Sequence, residues 1–193
     1  MWVMGAMMHK LLPPEYSWLM GLPWPPMLGI AINEFGVMEG EGDANNPIIL
    51  GWAREAAEAG AGAWLEAFYV QDSVPWCGLF MAVCGARAGY RVQPDCLSAR
   101  GWMDWGDKTV EPGLGDVLVF WRGRPDGSNG HVGLYIGEDA DCFHVLGGNQ
   151  GDAVSIVRIA KSRLLGARRW PGVPKAPMVP LAAAGGAISE NEA

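Results

Sequence analysis

Hydrophobic and polar positions change their period halfway along the chain. In the first half, "PIILGWAREAAEAG" carries apolar residues at helical spacing. Asn46 can cap this segment, Pro47 suits its first position, and Gly60 closes it. "AWLEAFY" adds a short helix. "PWCGLFMAVCGARAGY" is apolar most of the way round: Phe80, Met81 and Cys84 share a face with Cys77, and Leu79, Val83 and Ala86 line the next one. That pattern predicts a helix buried against a sheet, with Gly89 as its stop.

The second half reads as strands. "GDVLVFW" (115–121), "HVGLYIG" (131–137), "CFHVLGG" (142–148) and "AVSIVRIA" (153–160) are short, rich in β-branched and aromatic residues, and separated by Gly, Asp and Pro. Helices followed by strands predict an α+β fold, with N-terminal helices packed on a curved antiparallel sheet. Both faces of "GDVLVFW" are apolar, so the sheet must be covered on both sides or strongly curled.

Residues 1–27 are rich in Met, Trp and Pro and read as an arm packed on the surface, residues 28–172 as the domain, and residues 173–193 as a tail without periodicity, expected to be disordered. With 193 residues, half of them hydrophobic, the chain is long enough for one domain with a substantial core. It has no apolar run of about 18 residues, so no membrane insertion is expected. The opening lacks a basic leader and a cleavage site, so it is not read as a signal peptide. A net charge of −7 argues against nucleic acid or anionic lipid as partner. The cysteines at 77, 84, 96 and 142 form no C-x-x-C pair and are expected to be free thiols.

Cys77 falls in the first turn of its helix, with Asp72 or Ser73 as candidate caps. Unpaired N–H groups and the helix dipole there favour an anion, which would lower the thiol pKa. Most cysteines are simply core residues, and Cys84, Cys96 and Cys142 keep that reading. Cys77 differs through its company. His131 follows the polar loop "RGRPDGSNG" and opens a strand, which gives the minimal thiol–imidazole pair. A third group must fix the imidazole tautomer. Asn149 in "LGGNQGD" is the candidate, with a plain turn asparagine as the alternative. His144 competes for the role, although strand parity puts it on the opposite face unless Gly147-Gly148 breaks the strand.

Together "DSVPWCGLF", "GDVLVF", "GHVGLYIG" and "LGGNQGDAVSI" resemble the CHAP domain (cysteine, histidine-dependent amidohydrolase/peptidase). They are most similar to the branch found in phage and bacterial genomes alongside NlpC-type cell-wall peptidases, over roughly residues 28 to 170. The resemblance implies a papain-like fold and cleavage of peptidoglycan, by a stem or cross-bridge endopeptidase or an N-acetylmuramoyl-L-alanine amidase. It makes Cys77 the nucleophile, His131 the base and Asn149 the asparagine after the third strand. Two positions depart from it. Many CHAP domains have a glutamate where Gly147 stands, and NlpC-type relatives use a histidine that His144 would match. Gln71 precedes Cys77 by a spacing similar to that of the oxyanion-hole glutamine of papain-like proteases.

The expected chemistry is acyl transfer through a thioester, without a cofactor. Cys77, His131, Cys142 and His144 lack the paired short spacing of a zinc site, so no metal is expected. Trp76, Trp102 and Trp105 are candidates either to stack on a sugar ring or to fill the core, and Arg122 and Arg124 to meet a stem-peptide carboxylate. The expected partner is peptidoglycan or muropeptides, bound by a monomer. The protein would be made in the cytoplasm and reach the wall on release or delivery, as a phage lysin or an effector. A non-catalytic wall-binding or virion-assembly module with the same fold is the alternative.

Overall fold

The structure is a computed structural model and describes residues 12–181 and 187–190. Its helices come first: α1 (Pro26–Asn33), α2 (Pro47–Ala56), α3 (Trp64–Phe68) and α4 (Cys77–Arg87). Asn46 caps α2 as its position predicts, its side-chain oxygen accepting from the Ile48 N–H at 2.8 Å, with Pro47 next in line. α2 then widens into a looser turn at 57–61, where Gly60 takes a φ of 103°. α4 ends in a left-handed Gly89, and the Tyr90 N–H returns to the Gly85 carbonyl at 2.9 Å. That bond satisfies one of the helix's orphan carbonyls.

The strands are β1 (Asp107–Thr109), β2 (Val117–Trp121), β3 (Gly130–Glu138), β4 (Cys142–Gly147), β5 (Ser155–Ala160), β6 (Leu164–Arg169) and β7 (Ile188–Ser189). They form one sheet in the order β1-β6-β2-β3-β4-β5-β7, antiparallel except for the parallel pair β5–β7. The protein is therefore α+β with a mixed sheet. The four strands read from the sequence are β2 to β5. β6 escaped that reading because "LLGARR" carries two arginines. One of them, Arg169, is neutralised by Asp116, with Nε 2.8 Å from Oδ1.

Two apolar clusters sit on the two sheet faces. The larger packs Trp52, Phe80, Met81 and other helix residues against Val117, Val119, Val132 and Leu134. The smaller joins Leu118, Phe120, Tyr135, Phe143, Val145, Ile159 and Ala167. Every residue of the smaller cluster comes from a strand, β2 to β6, so both faces of the sheet carry apolar packing.

Two segments outside the expected domain prove to be part of it. Tyr16 and Leu19, in the arm, are buried in the main core. The tail also has structure. β2 pairs with β3 only between Gly130 and Leu134, which leaves the far end of β3 open on that side. Chain beyond Pro177 fills the gap: Glu138 N–H donates to the Val179 carbonyl at 2.9 Å, and Leu181 N–H to the Glu138 carbonyl at 2.8 Å. Edge backbone groups require partners, and the tail supplies them. Within the described residues, this replaces the disorder expected for 173–193. No helix among the described residues is long and apolar enough to cross a membrane.

Candidate active site

Cys77 is the first residue of α4, and no side chain caps that helix. Asp72, an expected cap, instead accepts from the N–H groups of Gly40 and Asn46, each at 2.7 Å. The backbone at the uncapped start of α4, Cys77 and Gly78, together with that of Val132 on β3, favours the thiolate form. Position 78 must be glycine, because a Cβ there would lie 2.4 Å from the Cys96 carbonyl oxygen and 2.7 Å from that of Leu97. The chain at 96–97 thus presses directly on the first turn.

Burial pushes the Cys77 thiol pKa up. The three backbone groups and the nearby Arg122 charge pull it down without overcoming that cost. The helix start alone predicted a lowered value. Desolvation wins because only 7% of Cys77 remains exposed. All four cysteines are unbridged and buried.

His131 opens β3 opposite Phe120 and is fully buried. The backbone of Val132, the residue that follows His131, is among the groups that lower the Cys77 thiol pKa. The loop leading into β3 is pinned by Arg100, whose guanidinium donates to the carbonyls of Asn129, Pro125 and Arg124 at 3.0, 3.1 and 3.1 Å. The expected site residue thus stands on an anchored strand end.

The imidazole is held by Gln150, with its Nε2 lying 2.9 Å from Oε1. Gln150 Nε2 donates to the carbonyls of Val145 and Ser155, at 3.2 and 2.5 Å, and these bonds fix which end of the amide faces the ring. An amide oxygen only accepts, so neutral His131 carries its proton on Nε2 and keeps Nδ1 as the basic nitrogen. Gly147 leaves the room. A Cβ at that position would sit 2.9 Å from Gln150 Oε1 and 3.3 Å from His131 Nε2.

The side chain of Asn149 goes elsewhere. Asn149 adopts a left-handed φ of 57°, its oxygen accepts from the Trp76 N–H at 3.3 Å, and its Nδ2 donates to Glu39 Oε1 at 3.0 Å. The same Glu39 oxygen accepts from the Trp76 indole at 2.8 Å. Asn149 therefore clips the approach to α4, and the role of holding His131 passes to its neighbour. Glu39 is raised above the usual carboxylate range by burial. Nothing in the sequence singled it out.

His144 is engaged in a separate buried network. Tyr16 OH is hydrogen-bonded to its Nδ1 at 2.7 Å, and its Nε2 lies 2.9 Å from Asp139 Oδ2. Asp139 also takes Arg158 Nε at 2.8 Å and the N–H groups of Asp141 and Cys142, each at 2.9 Å. Gln71 is exposed in the turn before α4. Trp76, Trp102 and Trp105 are all buried, which leaves them to the core alternative. Arg124 pairs with Asp126 on the surface. Among the described residues, no group of three or more His, Cys, Asp or Glu side chains is placed to hold a metal ion.

A buried thiol at a helix start and a histidine whose Nε2 faces an amide oxygen are the residue types used in nucleophilic acyl transfer. No protein-family model matches the sequence, and no curated protein matches it.

Proposed function

We propose that this protein is a cysteine-dependent amide hydrolase of papain-like, CHAP-type fold that acts on peptidoglycan. The observation that supports the reading is the place of Cys77 at the uncapped start of α4, where the backbone of Cys77, Gly78 and Val132, the residue after His131, favours its thiolate. Backbone N–H groups at such a place favour both a thiolate and a tetrahedral oxyanion.

In the proposed reaction, His131 Nδ1 takes the Cys77 proton as Sγ attacks the amide carbonyl. The buried thiol makes an isolated thiolate costly, so sulfur ionises together with the imidazolium that balances it. Backbone N–H groups hold the oxyanion. His131 returns the proton to the leaving amine, releasing it and leaving a thioester. Water then attacks the thioester, again with His131 as base, and the free carboxylate departs. The Arg122 charge favours the thiolate. Delivery to the wall as a phage lysin or an effector belongs to the same proposal.

The test is mass spectrometry of muropeptides released from purified sacculi. The parent protein should expose new amine and carboxyl ends at one amide bond, while Cys77→Ala and His131→Ala should each release none. Equal release by either folded variant would overturn the assignment.

A further inference from the structure

α3 turns Leu65 into the core and leaves Trp64 and Phe68, four residues apart, on its outer side with 49% and 50% of their surface exposed. The two rings meet edge to face, with centroids 5.9 Å apart and planes at 72°. Their position is built rather than incidental. Gly62 adopts a φ of 119°, and a Cβ there would lie 2.6 Å from the Trp64 indole nitrogen. The backbone has therefore been kept bare where the indole lies against it.

The pair is continuous with the candidate site. Phe68 packs on Tyr69 at 5.4 Å, and the buried Tyr69 donates its hydroxyl to the Pro75 carbonyl at 2.7 Å, two residues before Cys77. Val70, just after Tyr69 in the chain, is also exposed, at 66%.

We propose that Trp64 and Phe68 form a platform on which a sugar ring of a glycan strand stacks while its attached peptide reaches Cys77, an inference that rests on the hydrolase reading. Aromatic rings offer rigid area to the C–H face of a sugar and lose little entropy in doing so. The net charge of −7 on the chain disfavours the other ring-bearing polymer, because a polyphosphate backbone would be repelled. Three exposed side chains also fall well short of the roughly 800 Å² per partner that a stable protein interface needs. A neutral glycan fits both limits. The indoles expected to do this work, Trp76, Trp102 and Trp105, are buried.

The experiment compares the parent with the Trp64→Ala/Phe68→Ala double variant in three assays. These are binding of a β-1,4-linked N-acetylglucosamine tetramer followed by tryptophan fluorescence, turnover of sacculi, and turnover of a sugar-free stem peptide. The double variant should lose tetramer binding, and its kcat/KM should fall on sacculi about tenfold further than on the peptide, the effect expected of one or two stacking contacts. A Trp64→Tyr/Phe68→Tyr variant, which keeps the rings, should recover both. Unchanged tetramer binding in the alanine variant overturns the platform, as does an equal loss on both substrates, because that reports damage transmitted through Tyr69. If the parent cleaves neither substrate, the hydrolase reading fails on its own, and tetramer binding still decides the platform.

Discussion

Gln150 grips the imidazole of His131 from the side away from its basic nitrogen, with Oε1 2.9 Å from Nε2. The grip is itself anchored, because the amide nitrogen is committed to two backbone carbonyls. Gln150→Ala should lower kcat by roughly a hundredfold with a smaller change in KM, since it releases the ring's orientation rather than a substrate contact. Gln150→Glu keeps an acceptor and adds a charge that favours imidazolium, so its alkaline limb should move to higher pH. A pH–rate profile separates these outcomes. Asn149→Ala should act differently, loosening Trp76 and the start of α4 and lowering thermal stability together with activity.

Gly147 supplies a second test that leaves every polar group in place. A methyl group there would press on Gln150 Oε1 at 2.9 Å and on His131 Nε2 at 3.3 Å. The amide end is flexible but held at both carbonyls, so the ring is the part that gives. Gly147→Ala should keep its fold by circular dichroism and lose most of its activity. Full activity would show that the imidazole has slack the packing does not suggest.

The sequence revealed what depends on local rules and missed what depends on a single dihedral angle. Asn46-Pro47 announced α2, and the β-branched blocks announced β2 to β5, because caps and alternation act over a few residues. Cys77 at a helix start and His131 at a strand start were readable for the same reason. The partner of His131 was not. Whether position 149 or 150 reaches the ring turns on the left-handed φ of Asn149, which sends its amide toward Trp76 instead. The ordered tail escaped because its pairing partner, the open end of β3, exists only once the sheet has formed. The burial of Trp105 is likewise a tertiary fact: its ring packs against Tyr90 and Trp170 from distant parts of the chain, and Trp102 packs against Trp105.

Cys77 should be the thiol that iodoacetamide modifies in the native protein, since Cys84, Cys96 and Cys142 have no exposed surface. Burial raises its pKa, so a lone thiol would react slowly at pH 6 and faster as pH climbs through the alkaline range. Ionisation as a pair with His131 predicts otherwise: modification should persist at pH 6 and fall at least about tenfold there in His131→Ala. Mass spectrometry of the labelled peptide at a series of pH values reads this directly. A parent whose labelling follows the lone-thiol curve would remove the ion pair from the mechanism.

The network around Asp139 makes a prediction about stability rather than catalysis. Arg158 first, and then His144 and two backbone N–H groups, hold the Asp139 carboxyl well below the usual carboxylate range against the opposing effect of burial. An unfolded aspartate titrates near about 3.9, so the native protein holds its proton more weakly than the unfolded chain. The stabilisation is therefore fully present above that pH and is lost as pH falls through the lower native value. Asp139→Asn should melt earlier than the parent at pH 7, and the gap should close as both are acidified toward about pH 2. Tyr16, whose hydroxyl pKa burial pushes up to about 12, stays protonated throughout, so the loss of its hydrogen bond to His144 in Tyr16→Phe should lower the melting temperature without any titration of the tyrosine itself. Thermal unfolding of the three proteins across that range distinguishes a charge-linked loss from a lost hydrogen bond. A gap for Asp139→Asn that stays constant down to the lowest pH would show that its carboxylate contributes shape and not charge.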